Sequence, residues 1–178
     1  MIGDSRTAAD AGNTWPTTLT SALNVATSGT STWRHDNVGQ SASTAGTWAA
    51  SIAAVLAEQT QNHIRALVSI GVNDFDVATE AAWKANMLTV TDAVVARWPA
   101  ALVYLARPWK RNYNATADTY AGWIADLVAA RTYMRSGPDE RATIKAGDDG
   151  ATMTTDGIHY SAAGQAAWAP AWQTALGY

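Results

Sequence analysis

The chain has 178 residues, of which 48% are hydrophobic and 15% charged, and its formal net charge is −3. This composition is typical of a globular protein, and the length suits one domain, 1–178, with a sizeable core. No nucleic-acid partner is expected, because the sequence lacks the concentrated basic patch that phosphate binding needs. The absence of cysteine excludes disulfides, thiolate nucleophiles and Cys-ligated zinc.

Targeting and membrane signals are also missing from the sequence. No apolar run approaches the roughly 20 residues needed to cross a bilayer. The N-terminus lacks the basic and apolar parts of a signal peptide. The sequence therefore predicts no membrane span and leaves the cellular location unknown.

Short apolar runs alternate with amphipathic segments, a pattern that predicts an α/β sheet with helices on both faces. The first half predicts a strand at 1–2, a helix at about 15–24, a strand at 32–38, a helix through Trp48, Ile52, Val55 and Leu56, and a strand at 64–70. The second half predicts a helix through Trp83, Met87, Val90 and Val94, a strand at 101–106, a helix through Tyr120, Ile124 and Leu127, a strand at 142–146, and a last helix that begins near Ser161.

Polar residues and glycines follow the predicted strands. They are Gly3-Asp4-Ser5 after the first strand, Gly39 after the second, Gly71-Val72-Asn73-Asp74 after the third, and Asp156-Gly157-Ile158-His159 after the fifth. Ligands of parallel sheets bind beyond the carboxyl ends of the strands, so the four pieces are expected on one rim. Taken singly, each piece is also an ordinary turn or cap sequence.

The ordered set supplies what acyl transfer by a serine needs. Ser5 is the candidate nucleophile, His159 the candidate general base, and Asp156 the group that holds the imidazole in the correct tautomer. The candidate oxyanion donors are the backbone N–H groups of Ser5 and Gly39 and the side-chain amide of Asn73.

These four blocks resemble those of the SGNH hydrolase family, also called GDSL-type esterases and lipases. The resemblance runs from residue 3 to about residue 168, and the Gly-x-Asn-Asp and Asp-x-x-His blocks are its more specific parts. It implies a three-layer, flavodoxin-like sheet of about five strands and hydrolysis of esters, often of short acyl groups on sugars or small alcohols. It also implies that no metal or organic cofactor is used.

Four residues are candidates for substrate binding: Arg6, Asp74, Arg107 and Trp109. Arg6 stands where many relatives carry a smaller or apolar residue, which favours a more polar groove beside Ser5. Arg107 and Trp109 belong to a loop rich in cations and aromatics that follows the fourth strand and suits an anionic or sugar-bearing ligand. The alternatives are a solvated surface loop and, for Asp74, a structural role in shaping its loop.

The leading functional hypothesis is a serine esterase that removes short acyl groups, acetyl among them, from a small-molecule or glycan ester. One alternative keeps the fold and changes the substrate to that of a lipase, lysophospholipase or thioesterase. Another is a non-catalytic carbohydrate-binding domain. Only Met1 and Ile2 precede Gly3, so either the chain is part of a longer polypeptide or the sheet tolerates an unusually short first strand.

Overall fold

The computed structural model describes residues 1–28, 30–145 and 151–178, which form a parallel sheet flanked by helices. The strands of these residues are β1 (Ile2–Gly3), β2 (Arg65–Ser69), β3 (Leu102–Arg107) and β4 (Met134–Asp139). The α-helices of the same residues are α1 (Trp15–Ala26), α2 (Ala45–Ala57), α3 (Glu80–Arg97), α4 (Asn114–Ala130), α5 (Glu140–Ile144) and α6 (Ala162–Ala175).

The strands lie in the order β1-β2-β3-β4, and every neighbouring pair is parallel. Their carboxyl ends therefore meet at one edge of the sheet, as the sequence predicts. The expected short first strand is confirmed, since β1 has two residues, which pair with Val68 and Ser69 of β2.

The predicted second strand, 32–38, is not a regular strand in the structure, but its end runs beside β1. The Val38 N–H donates to the Met1 carbonyl (3.0 Å), and the Gln40 N–H donates to the Gly3 carbonyl (2.9 Å). Donors and acceptors that both advance by two residues are the pattern of a parallel ladder. β1 is thereby held on both sides despite its length, and Gly39 is brought close to the Ser5 turn.

The predicted strand at 142–146 is wrong. Residues 140–144 form α5 instead, while Ala146 lies outside the described residues. The last strand is β4, whose Gly137 and Pro138 are unusual inside a strand. β4 is an edge strand of the described sheet, paired with β3 alone, and proline is tolerated at such edges.

Gly137 is required where β4 meets an irregularity in β3. A Cβ atom at this position would lie 2.8 Å from backbone atoms of Leu105 and Ala106. The register between the two strands shifts between Leu105 and Arg107, which carries β4 onward to Asp139 and the start of α5. This close approach positions Glu140 beneath the rim.

The helices form two groups: α1, α5 and α6 pack together, and so do α2, α3 and α4. Four of them begin with a side-chain cap, in which Thr44, Thr79, Asp139 and Ser161 each accept a backbone N–H three residues later. The predicted N-cap at Ser161 is therefore confirmed. None of the described helices is both long and apolar enough to span a membrane.

Most of the tryptophans fill the core. Six of the nine in the sequence have at most 2% of their area exposed, among them Trp15 and Trp172, whose rings stack at 6.1 Å. The indole N–H of Trp15 donates to the Arg6 carbonyl (2.8 Å), so the core also ties down the backbone next to Ser5.

Candidate active site

Ser5 lies in a tight turn directly after β1. The Asp4 carbonyl accepts the N–H groups of Thr7 (2.9 Å) and Ala8 (3.0 Å), while Asn13 Nδ2 donates to the Ser5 carbonyl (2.6 Å). Ser5 is 9% exposed. The turn therefore holds the hydroxyl in a fixed position at the rim of the sheet.

His159 lies in a hairpin-like turn that precedes α6. The turn is closed by an antiparallel bridge between Thr154 and Tyr160 and by a hydrogen bond from the Thr155 N–H to the His159 carbonyl (2.9 Å). Asp156 Oδ1 accepts the backbone N–H groups of Ile158 (2.9 Å) and His159 (2.8 Å). The carboxylate is thus fixed by the same turn that carries the imidazole.

The structure brings Ser5, His159 and Asp156 into one chain of hydrogen bonds. His159 Nε2 lies 3.1 Å from Ser5 Oγ, and His159 Nδ1 lies 2.7 Å from Asp156 Oδ2. Because a carboxylate can only accept, the proton of a neutral imidazole sits on Nδ1 and leaves Nε2 to accept the Ser5 hydroxyl. This arrangement can move a proton from the hydroxyl to the ring.

The charge of Asp156 is stabilised by its neighbours. Partial burial by itself would raise the pKa of Asp156, but hydrogen bonds from the His159 ring and from the His159 and Ile158 N–H groups lower it to about 2. The carboxylate is therefore ionised at neutral pH.

The two other oxyanion candidates lie in the loop after β2 and in the segment that runs beside β1. Asn73 Nδ2 donates to the Ser43 carbonyl (3.0 Å), which fixes the amide and leaves its second N–H available. The Gly39 N–H donates to Asn37 Oδ1 (3.1 Å), and a Cβ at Gly39 would lie within 2.9 Å of the backbone of Thr7 and Ala8. Only glycine fits at this position. Gly39 remains a candidate oxyanion donor, and its N–H would have to break its hydrogen bond to Asn37 to bind the oxyanion.

Asp74 does not reach the solvent, which argues against contact with substrate. It is 3% exposed, and its two carboxylate oxygens lie 3.2 and 3.0 Å from the Ala45 N–H at the start of α2. Burial raises its pKa to about 6, with the Ala45 N–H opposing that shift and Asp4 adding to it. The structural role predicted for Asp74 as an alternative fits its position, and the substrate-binding one does not.

Arg6 is likewise removed from any substrate, since it is 1% exposed and its guanidinium points into the protein. Its Nη1 donates to Glu140 Oε2 (2.5 Å) and to the Trp109 carbonyl (3.0 Å), and its Nε and Nη2 each lie 3.4 Å from the Asp4 carboxylate. Trp109 is 2% exposed and its indole N–H donates to Asn114. The burial of both side chains argues against the substrate contact predicted for them.

Arg107 keeps access to solvent. Its side chain is 37% exposed and lies 3.5 Å from Asp139. The following loop reaches the histidine turn, where the Arg111 N–H donates to the Gly157 carbonyl (3.0 Å). Arg107 remains a candidate for substrate binding, and Arg111 is a further residue beside the site.

Three residues that support the site were missed by sequence reasoning: Glu140, Tyr160 and Asn13. Glu140 is fully buried and accepts hydrogen bonds from Arg6, the Trp109 N–H and the Tyr160 hydroxyl. Nothing in the local sequence marks a buried glutamate. Tyr160 could have been noticed from the sequence, because it directly follows the candidate base His159.

Among the described residues, no three His, Cys, Asp or Glu side chains are grouped to hold a metal ion. The groups that the rim brings together in one hydrogen-bonded chain are a hydroxyl, an imidazole and a carboxylate. These groups suffice for acyl transfer.

Comparison with known proteins gives one family. The model described as "GDSL-like Lipase/Acylhydrolase family" matches residues 1–167. No match is found among curated proteins.

Solved structures with the same fold are numerous, at low sequence identity. A structure described as TesA has a TM-score of 0.77 and 21% identity, with 99% of this chain and 96% of that chain covered. The acetylxylan esterase Axe2 from Geobacillus stearothermophilus has a TM-score of 0.79 and 19% identity, with 99% and 92% covered. A carbohydrate esterase family 3 protein from Talaromyces cellulolyticus has a TM-score of 0.76 and 18% identity, with 99% and 94% covered.

Proposed function

Because this chain belongs to the GDSL-like lipase/acylhydrolase family, it is a carboxylic ester hydrolase, and we propose that Ser5 is its nucleophile. The proposed substrates are esters of short acyl groups, acetyl among them, on carbohydrates or small alcohols. The observation that carries the proposal is the continuous chain of hydrogen bonds from Ser5 Oγ through His159 to Asp156.

In the proposed reaction, Ser5 Oγ attacks the ester carbonyl carbon while its proton passes to His159 Nε2. The tetrahedral intermediate collapses, and the alcohol leaves with that proton. Water then attacks the acyl-enzyme with the same histidine as base, which releases the carboxylic acid and restores Ser5. Asp156 stabilises the imidazolium formed in both halves.

The oxyanion of each intermediate would be bound by the N–H of Ser5, the free N–H of the Asn73 amide and the Gly39 N–H. Loss of one such donor typically raises the barrier by about 3–4 kcal/mol. The hydrogen bond from Asn73 to Ser43 supports this role, because a fixed amide needs little reorganisation during the reaction.

Two observations support a small acyl group. The side chains of Asp156 and His159 are 50% and 48% exposed, so the catalytic hydrogen bonds lie at an open surface. A long acyl chain would need an extended apolar groove beside Ser5. Two of the similar structures are described as an acetylxylan esterase and a carbohydrate esterase, which fits an acetylated carbohydrate as substrate.

A panel of chromogenic esters from acetyl to palmitoyl tests the proposal, with wild type, Ser5→Ala and Ser41→Ala. Ser41 is the matched control, since it is an exposed serine whose hydroxyl donates to Asp10. We expect Ser5→Ala to lower kcat by about 10⁶-fold and Ser41→Ala to leave it unchanged. Equal rates for wild type and Ser5→Ala would refute the assignment of the nucleophile.

The same panel separates the proposed substrates from the lipase-like ones. We expect the highest kcat/KM on acetyl or propionyl esters and a steady fall with chain length. A preference for palmitoyl would leave Ser5 as nucleophile and replace the short acyl group by a long one.

A further inference from the structure

Glu140 is a buried carboxylate on which three loops of the rim converge. It is fully buried at the start of α5 and forms no part of the chain from Ser5 to Asp156. Its Oε2 accepts Arg6 Nη1 (2.5 Å) and the Trp109 N–H (2.6 Å), and its Oε1 accepts the Tyr160 hydroxyl. These donors belong to the loops after β1 and β3 and to the histidine turn.

On one side, Glu140 reaches the residue that follows the nucleophile. The Arg6 N–H donates to Asp4 Oδ1 (3.0 Å), so Asp4 and Arg6 close a turn around Ser5. The Arg6 guanidinium then bonds both to Asp4 and to Glu140. A shift of Glu140 would move Arg6 and, with it, the backbone that carries Ser5.

On the other side, Glu140 reaches the residue that follows the base. Tyr160 is 6% exposed, packs with its ring centroid 5.9 Å from that of Trp168, and closes the histidine turn through its bridge to Thr154. Its hydroxyl bonds to Glu140, so the backbone that carries His159 is anchored at the same carboxylate.

We propose that Glu140 is the positioning residue that aligns Ser5 with His159, acting through Arg6 and Tyr160. The inference rests on the proposed function, because it concerns the hydrogen bond between the proposed nucleophile and base. One buried acceptor shared by the Arg6 and Tyr160 side chains fixes the separation of the two backbones more firmly than two independent contacts would. The separation between Ser5 Oγ and His159 Nε2 then depends on a group that touches neither atom.

The kinetic test uses Glu140→Gln, Tyr160→Phe and the control Thr91→Val. Thr91 is fully buried, and its hydroxyl bonds to the Met87 carbonyl within α3, so its loss lowers stability without touching the rim. Misalignment of reacting groups can slow a reaction by about 100-fold, which is the fall in kcat expected for Glu140→Gln. The milder Tyr160→Phe should lower kcat by about tenfold with KM unchanged, and Thr91→Val should change neither.

Tyr160→Phe keeps the ring that packs on Trp168 and removes only the hydroxyl. It therefore tests the positioning role of Glu140 even if Glu140→Gln does not fold. A kcat for folded Tyr160→Phe equal to that of wild type would overturn the proposal. Equal falls in kcat for Tyr160→Phe and Thr91→Val would do so as well, since a general loss of stability would then explain both.

A measurement that needs no turnover separates this inference from the proposed function. The ¹⁵N chemical shift of His159 Nε2 reports its hydrogen bond to Ser5, and Ser5→Ala gives the reference shift for the broken bond. We expect Tyr160→Phe to move the resonance from the wild-type value toward that of Ser5→Ala. No movement would overturn the positioning role, whereas absent esterase activity in wild type would overturn the proposed function alone.

Discussion

Ser5 has two differently built sides. On the solvent side, the Asp156 and His159 side chains are about half exposed, and the carboxylate is held by backbone N–H groups. On the protein side, the Arg6 side chain and both carboxylates that it contacts are at most 1% exposed. Each side pairs a carboxylate with a nitrogen-containing side chain. Only the Asp156–His159 pair, on the solvent side, lies where a change of charge is tolerated.

The difference in solvent exposure explains why the two sides suit different roles. An imidazole that gains and loses a proton in each cycle needs solvent or a fixed carboxylate to stabilise its charged form. A buried ion pair resists any change in charge, because desolvation makes an unpaired ion expensive. The solvent side is therefore suited to proton transfer and the protein side to fixing the backbone.

Of the substitutions that compare the two sides, Asp156→Asn on the solvent side is expected to have the largest effect. An amide in place of the carboxylate favours the wrong imidazole tautomer, and kcat should fall by about 10⁴-fold. The free energy of unfolding should change by only about 0.5 kcal/mol, since the side chain is half exposed. Steady-state kinetics and denaturant unfolding check both values.

Asp126→Asn is the control for that variant, because Asp126 is an exposed partner of Lys84 far from the rim. It should leave kcat unchanged. An Asp156→Asn enzyme with near wild-type kcat would remove the distinction between the two sides.

On the protein side, Arg6→Met is expected to affect stability most. Burial alone would lower the pKa of Arg6, but Asp4 and Glu140 outweigh it and raise that pKa, so the guanidinium stays charged. Its removal leaves two buried carboxylates unpaired and should lower the free energy of unfolding by about 3–5 kcal/mol.

The matched control is Arg141→Met, which removes an arginine whose bond to Asp118 is solvent-exposed. Such surface pairs contribute about 0–1 kcal/mol. Chemical denaturation of the two variants gives the difference, and equal losses would mean that burial does not govern the strength of these pairs.

The buried Asp74 makes the stability of the protein depend on pH. Its pKa is raised from 3.8 to about 6 in the folded protein, so the folded state binds the proton more tightly than the unfolded chain. The stability that protonated Asp74 provides is complete below pH 3.8 and is lost as pH rises through about 6. Asp74→Asn should therefore be the more stable protein at about pH 8, by at most about 3 kcal/mol.

The advantage of Asp74→Asn should shrink steadily as the pH falls toward the ordinary value of an aspartate. Urea unfolding of wild type and variant at several pH values measures it. A constant difference across the range would show that ionised Asp74 is not destabilising in its buried position.

The solvent side could be predicted from the sequence, and the protein side could not. Ser5 follows the end of β1, and the carboxyl ends of parallel strands meet on one rim. His159 is marked by the Asp-x-x-His block, although the strand expected before it at 142–146 is wrong. Glu140 carries no such mark, because a buried charge is recognisable only from the partners that the fold brings to it. Arg6 was assigned to the substrate because position in a loop does not tell which way a side chain points.

The strand at the edge of the sheet was also harder to predict from the sequence than the central strands. The central strands β2 and β3 are apolar runs and were predicted from that pattern. β4 contains Gly137, Pro138 and charged residues, which an edge strand tolerates because only one side is hydrogen-bonded. Of the apolar residues that suggested a strand at 142–146, Ala142 and Ile144 belong instead to α5, whose buried Ile144 contributes to the core.

The smallest effect is expected on the solvent side, from Ala42→Gly. Ala42 is exposed and has φ of 59°, a left-handed conformation that strains any residue with a Cβ atom. Glycine removes that strain but gives the unfolded chain more freedom, so the net gain in unfolding free energy should be about 0.5–1 kcal/mol.

The control Ala50→Gly, at an exposed helical position of α2, should instead lower the free energy of unfolding by about 1 kcal/mol. The residue after Ala42, Ser43, holds the Asn73 amide through its carbonyl, so strain at Ala42 is stored beside the proposed oxyanion donor Asn73. Opposite signs for the two substitutions in thermal unfolding would locate that strain on the open side of Ser5, and a loss for both would contradict it.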